Sequence, residues 1–336
     1  MGNWNLILTA ALMIGGMGLI FGAVLAIVGR IFAVKEDPRK AEVREVLPGA
    51  NCGGCGFAGC DAYAQAIAEG KAEVNRCPVA GEKGAAAIAQ IMGVEAGAME
   101  KKVAIVRCRG SLDQCGLRFE YDGPKDCKSA ALVAAGDKNC QYSCLGFGDC
   151  EAACPFDAIH VTSGRLAAVD VDKCRGCGVC VAACPRGVLQ LRPAEHPVHS
   201  TCSAMEKGKV VRDNCTAGCI GCGKCAKMCK FGALTLKNNL PEIDLEKCVG
   251  CMQCADNCPT GALAANDALR RHAVIHYPDC TGCGDCKAAC LFDAIAGEPS
   301  QRHSVIEWNC VGCAKCFDAC THGCIEMLPG GIYKRR

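Results

Sequence analysis

Aromatic side chains are scarce in this chain of 336 residues: phenylalanine, tyrosine and tryptophan make up 5% of it, whereas glycine alone occurs 40 times. Aromatics dominate the buried area of ordinary cores, so one large apolar interior is excluded even though apolar residues in the wide sense reach 51%. An excess of one charge is missing too. The net charge is +2 at pH 7 and no dense basic run occurs, which leaves no electrostatic footprint for nucleic acid. No G-x-G-x-x-G follows a strand-like run and opens a helix, so there is no signature of a nicotinamide-binding Rossmann unit. No Ser or Cys nucleophile with a placed base stands out, and only one apolar run is long enough to cross a membrane. The chain is expected to bind neither flavin nor NAD and to have no substrate-converting site of its own.

Cysteine, by contrast, occurs 34 times, about one residue in ten. Such a level reads as a disulfide scaffold in a short secreted chain. Here many cysteines stand only a few residues apart, a spacing that rarely meets disulfide geometry. Thiolate ligands for metal are the better reading, with inorganic clusters filling the space that aromatics do not.

The apolar run comes first. Leu6 to Gly29 gives 24 uncharged, mostly apolar residues, and Arg30 is the only charge between Trp4 and Val34. That is long enough for a tilted transmembrane helix. Met1 to Asn5 carries no basic side chain, unlike the start of a cleavable signal peptide. Arg30, Lys35, Arg39 and Lys40 follow the run, so the positive-inside rule puts the rest of the chain in the cytoplasm. Ala11, Gly15, Gly18, Gly22, Ala26 and Gly29 form a stripe of small residues, read either as a face for another membrane helix or as the ordinary glycine content of such helices. The stretch Lys35 to Glu45 is expected to be a solvated juxtamembrane helix.

Next comes Cys52-Gly-Gly-Cys55-Gly-Phe-Ala-Gly-Cys60, followed by Cys77-Pro78. It offers four thiolates, and its glycines let backbone N–H groups turn toward a cluster. Four thiolates also suit zinc, but the remaining pattern favours iron. The half-motif C-x2-C-x2-C-x3-C occurs at Cys174/177/180/184, Cys219/222/225/229, Cys248/251/254/258, Cys280/283/286/290 and Cys310/313/316/320, with a stretched C-x3-C-x5-C-x3-C at Cys140/144/150/154. The fourth Cys of one half and the first of the next lie 20, 19 and 20 positions apart in three successive pairs. Each pair therefore reads as a two-cluster unit. In such units the fourth Cys of each half ligates the cluster of the other.

The resulting assignment puts Cys140, Cys144, Cys150 and Cys184 on one cluster and Cys174, Cys177, Cys180 and Cys154 on its neighbour. Cys219, Cys222, Cys225 and Cys258 pair with Cys248, Cys251, Cys254 and Cys229. Cys280, Cys283, Cys286 and Cys320 pair with Cys310, Cys313, Cys316 and Cys290. With Cys52, Cys55, Cys60 and Cys77 this makes seven [4Fe–4S] clusters. Cys324 fills a place taken by Ala158 and Ala294 in other repeats and reads as a buried small residue. Cys108, Cys115, Cys127, Cys202 and Cys215 remain: four of them could build an eighth cluster, or all five could be scattered buried thiols.

The segment from Cys52 to Cys77, the single apolar helix before it and the stretches Val103 to Cys108, Asp126 to Leu132 and Cys144 to Cys150 resemble the B subunit of the Rnf complex, a membrane-bound ferredoxin:NAD oxidoreductase that pumps sodium ions or protons. The resemblance runs to about Leu263. It implies location at the bacterial cytoplasmic membrane, electrons arriving from soluble ferredoxin, and partner subunits that carry the ion path, flavins and NAD site. The expected fold class is α+β: a membrane anchor (1–34), a small iron–sulfur domain (35–80), a connector (81–135), a first βαββαβ-like ferredoxin module (136–195), a second connector (196–214), and further modules at 215–268 and 269–336. Two rivals are weighed: the polyferredoxin wire of another membrane redox complex such as a hydrogenase, which would lack the Cys52–Cys77 domain, and a zinc-loaded scaffold without redox function.

Overall fold

The computed structural model describes residues 4–31 and 37–330. Lys35, the anchor's expected end at Val34 and the last six residues of the third module lie outside the described residues.

Trp4–Ile31 forms one helix. Within it Ile7–Arg30 has a mean hydropathy of 2.4 and none of it is buried, which makes it long and apolar enough to cross a membrane. Nothing packs within 4 Å of a side chain built at Gly15, Gly18, Gly22 or Gly29.

Three helices, Pro38–Val46, Cys60–Ala68 and Gly81–Met92, enclose a compact core. Val43, Tyr63, Ala64, Ile67 and Ile88 are its most buried members. Two expectations change here. The mixed-charge stretch after the anchor is helical, with Asp37 capping it through the Arg39 N–H at 2.9 Å, but it is not solvated all round, because Val43 buries its inner face in this core. The helix Gly81–Met92, expected in the connector, closes the same core, because some forty residues alone bury too little apolar surface to hold together.

Beyond residue 100 the chain builds three similar units from twelve short strands: β1 (Lys102–Val106), β2 (Ile159–Val161), β3 (Ala167–Val169), β4 (Leu189–Pro193), β5 (Val198–Ser200), β6 (Leu234–Lys237), β7 (Leu240–Ile243), β8 (Leu263–Ala265), β9 (Arg271–Ile275), β10 (Ile295–Ala296), β11 (Ser304–Val305) and β12 (Ile325–Pro329). In each unit the first and last strands pair antiparallel, as β1–β4, β5–β8 and β9–β12, with Lys102 opposite Pro193, Val198 opposite Ala265 and Arg271 opposite Pro329. Between them lie a hairpin, β2–β3, β6–β7 or β10–β11, and two helices of four or five residues.

The outer strands correct two boundaries. β1 falls in the expected connector 81–135 and β5 in the connector 196–214, yet each is an edge of the unit that follows. Counting from cysteines misses them because long insertions, 107–143 and 201–218, separate each first strand from the half-motif of its own unit. In the third unit only residues 276–279 intervene between β9 and Cys280.

The turn after each fourth cysteine repeats six times. Asp157, Gly187, Gly232, Gly261, Asp293 and Gly323 all have φ between 50° and 65°. This left-handed conformation favours Gly and is tolerated by Asp. The next residue, Ala158, Val188, Ala233, Ala262, Ala294 or Cys324, is buried, and the one after it opens a strand. Cys324 thus occupies the small buried place expected of it, 6% exposed with its sulfur 3.4 Å from that of Cys320.

Candidate metal centres

The short helices place the third cysteine of every half-motif at their second residue: Cys150, Cys180, Cys225, Cys254, Cys286 and Cys316. The preceding loops curl the first two cysteines around the same space. Partly open pockets with about 310 to 370 Å³ of space between atoms result, walled by sulfur and aliphatic carbon. One is lined by Cys310, Cys313, Cys316 and, from the other half of its unit, Cys290. A second has Cys174, Cys177 and Cys180 with Cys154, and a third Cys219, Cys222 and Cys225 with Cys258. In each of these a fourth cysteine from the opposite half completes the lining. The same exchange brings Cys229 beside Cys248 and Cys251, and Cys320 near Cys286, which also has Cys280 and Cys283 around it. In the small domain Cys77 faces Cys55 and Cys52, while Cys60 is buried in the shared core.

These spaces fit a cubane better than a zinc ion. Thiolates around one zinc, at Zn–S of about 2.3 Å, stand about 3.8 Å apart, and among the described residues no group of three or more His, Cys, Asp or Glu converges on a single metal ion. Backbone N–H groups donate to ligand sulfurs: Ala104 to Cys174 at 3.4 Å, Ala80 to Cys77 at 3.4 Å, Ala294 to Cys290 at 3.3 Å and His303 to Cys280 at 3.4 Å. Arg186 lines the cavity holding Cys184, and its Nε and Nη2 are buried without a hydrogen-bond partner. An unpaired guanidinium is costly to bury unless an anionic cluster faces it. Burial pushes the Cys150, Cys254 and Cys316 thiols up to about 12, so bound iron must displace their protons.

One expected set differs. The cavity of Cys144, Cys150 and Cys184 is completed by Cys127 and not by Cys140. Cys127 starts the helix Cys127–Leu132, which Asp126 caps through the Ser129 N–H at 2.7 Å. Asp149, next to Cys150, accepts from the N–H groups of Cys127 at 2.7 Å and Lys128 at 3.2 Å. The sequence did carry a signal. In the regular half-motif a glycine precedes the second cysteine, as Gly176 precedes Cys177, with positive φ and no room for Cβ against the Lys102 carbonyl. Gly146 has the same conformation and crowds the Arg165 carbonyl in the same way. Cys144 thus stands in the first position of the half-motif, Phe147 stands where the second cysteine would be, and a thiol from the insertion, Cys127, lines the same cavity.

Cys140 lies elsewhere, lining a fifth cavity with Cys108, Cys202 and Cys215. Cys115 sits behind it, 1% exposed, its sulfur accepting from the Cys140 N–H at 3.3 Å.

Neighbouring units pack through their cysteine loops. A side chain at Gly54 of the small domain would come within 2.8 Å of the Cys177 carbonyl oxygen. At the other end of the chain Cys251 lies within electrostatic reach of Cys313. Cys222 and Cys283 are the exposed cysteines among those described.

Comparison with known proteins gives matches along most of the chain. The 4Fe-4S dicluster domain matches residues 173–233, 218–262 and 247–294, a second 4Fe-4S dicluster domain model matches 273–327, and an Fe-S cluster family model matches 47–79. The B subunit of the Na(+)-translocating ferredoxin:NAD(+) oxidoreductase complex of Acetobacterium woodii is 47% identical over 72% of this chain and 73% of its own. The B subunit of the ion-translocating oxidoreductase complex of Methanosarcina acetivorans is 40% identical over 87% and 98%. The B subunit of the proton-translocating ferredoxin:NAD(+) oxidoreductase complex of Clostridium ljungdahlii is 46% identical over 68% and 81%.

Proposed function

The chain belongs to the B-subunit family of ion-translocating ferredoxin:NAD+ oxidoreductases, and on that premise we propose that it is the iron–sulfur wire through which soluble ferredoxin feeds such a complex. It is an electron-transfer subunit, and other subunits of the complex are its partners. Bound [4Fe–4S] clusters supply one-electron redox chemistry whose potential depends on charge, hydrogen bonds to sulfur and exposure.

The observation that carries the reading is the exchange of fourth cysteines, with Cys154, Cys258 and Cys290 each seated among the ligands of the opposite half. Each β1–β4, β5–β8 and β9–β12 unit is accordingly a two-cluster ferredoxin module of βαββαβ order. The crossing ligands hold two sites of a module at a fixed short separation, and the N–H groups on sulfur stabilise the thiolates.

The helix Trp4–Ile31 anchors the chain in the membrane, and Arg30, Arg39 and Lys40 after it favour a cytoplasmic location for the modules. The Cys52–Cys77 domain lies nearest the anchor in sequence, and the third module lies farthest. In that module Cys283 is exposed, which suits a weak redox encounter of small area. Ferredoxin docks there, and the small domain hands electrons to the membrane partners. The family assignment and the small domain favour this over the wire of another redox complex, and the wide ligand spacing disfavours the zinc scaffold.

Stopped-flow mixing of the anaerobic full chain with reduced ferredoxin tests the entry point. Cys283→Ala is expected to slow bleaching of the visible absorbance at least tenfold while dithionite still reduces the remaining clusters. An unchanged rate would move the entry elsewhere.

A further inference from the structure

We propose that Cys108, Cys140, Cys202 and Cys215 hold an eighth [4Fe–4S] cluster that joins the first ferredoxin module to the second, and that Cys127 takes the place of Cys140 in the first module. The inference rests on the iron–sulfur reading above and adds a site to it.

The two insertions that displaced the module boundaries meet here. Cys108 and Cys140 come from the insertion after β1, and Cys202 and Cys215 from the insertion after β5. Ser203 ties them together, its hydroxyl donating to the Arg107 carbonyl at 2.7 Å, and the Thr216 N–H donates to the Gln114 carbonyl at 3.0 Å. The four cysteines line one cavity of about 310 Å³, similar in size to those of the regular sites.

The sulfurs also carry the same hydrogen bonding as ordinary ligands. Cys108 accepts from the N–H groups of Gly110 and Cys144, both at 3.3 Å, and Cys202 accepts from Ala204 at 3.5 Å. Cys144 is a ligand of the neighbouring cavity, so the two sites share a peptide. On the other side Cys202 lies close to Cys219 and shares a buried cluster with Cys219 and Cys258.

A buried cation supplies an independent observation. Lys138 is fully buried, and its ammonium donates to the carbonyls of Gly110 at 2.8 Å and Arg165 at 2.6 Å. Among the described residues it forms no ion pair with a carboxylate, and the groups of opposite potential charge around it are Cys144, Cys108 and Cys115. A buried ammonium needs an anionic partner, and thiolate-ligated clusters on both sides provide it. Eight sets of four then account for 32 of the 34 cysteines, leaving Cys115 and Cys324, both buried in contact with a ligand. The eighth site lies between the two modules, bonded through the Cys144 N–H on one side and close to Cys219 on the other.

The test is iron and acid-labile sulfide in the anaerobically purified full chain and in paired variants, with the reduced-state electron paramagnetic resonance spin count as second readout. The wild-type chain should hold about 32 irons, four per cluster. Cys140→Ala and Cys202→Ala should each lose about four, and the double variant should also lose only about four, because both act on one site. Cys127→Ala with Cys202→Ala should lose about eight. If Cys202→Ala and Cys215→Ala leave iron and spin count unchanged, or the wild-type chain saturates at about 28, the eighth site is wrong while the seven-cluster wire stands. A chain free of iron would overturn the wire itself. Should a variant misfold, it would lose far more than eight irons, and Cys115→Ala, predicted to keep all eight clusters, serves as the control.

Discussion

The carboxylate of Asp149 accepts the backbone N–H of Cys127 at 2.7 Å, joining a residue beside a regular ligand to a cysteine that no half-motif contains. Asp149 is the latch that brings the insertion's thiol to the first module. Charged hydrogen bonds of this kind contribute about 1.5–3 kcal/mol. Asp149→Ala should therefore speed loss of one cluster to a chelator roughly tenfold to hundredfold, followed as iron release. Release at the wild-type rate would show that the latch is dispensable.

Lys138 gives a prediction about potential. Replacing it with Met removes a buried positive charge next to Cys108 and Cys144, which destabilises the more negative, reduced state of clusters there. Their reduction potentials should fall by about 60 mV, equivalent to a tenfold shift for one electron. Spectroscopic redox titration reads this, and unchanged potentials would place the ammonium outside their field.

Two glycines of the third module separate crowding from turn conformation. Gly312 has φ of 68° and a Cβ there would overlap the Arg271 carbonyl, whereas Gly323, with φ of 64°, has nothing within 4 Å. Gly312→Ala combines backbone strain of about 1–3 kcal/mol with a clash and should lower the unfolding midpoint clearly. Gly323→Asn, at a site Asn tolerates, should cost under about 1 kcal/mol. Equal effects in chemical denaturation would contradict the geometry.

Deleting residues 1–36 should release the chain from membranes into the soluble fraction with its iron content unchanged. A truncated chain that stays membrane-bound through washing at high salt would locate the attachment elsewhere.

Much of the metal-site chemistry was legible because ligand spacing is local: the five regular half-motifs place their own cysteines within eleven residues. The fourth-cysteine exchange followed from pairing those halves. The structure seats Cys127 rather than Cys140 beside Cys144: the spacing of Cys140 from Cys144 imitates a ligand pair, while the informative features were Gly146 and Phe147, which match the register of the regular half-motif. Spacing could not show that Cys108 and Cys202 converge, since their contact depends on two insertions folding against one another. The outer strands β1 and β5 were hidden for the same reason: β1 finds its partner β4 more than eighty residues away.

The central claim, that electrons from ferredoxin leave through the small domain near the anchor, is tested most directly in membranes carrying the assembled complex with Cys55→Ala. Reduced ferredoxin should still bleach the remaining clusters of this subunit at the wild-type rate, and ferredoxin-driven NAD reduction should fall to background. NAD reduction at the normal rate in that variant, with the other clusters intact, would take the Cys52–Cys77 site out of the path and contradict the account.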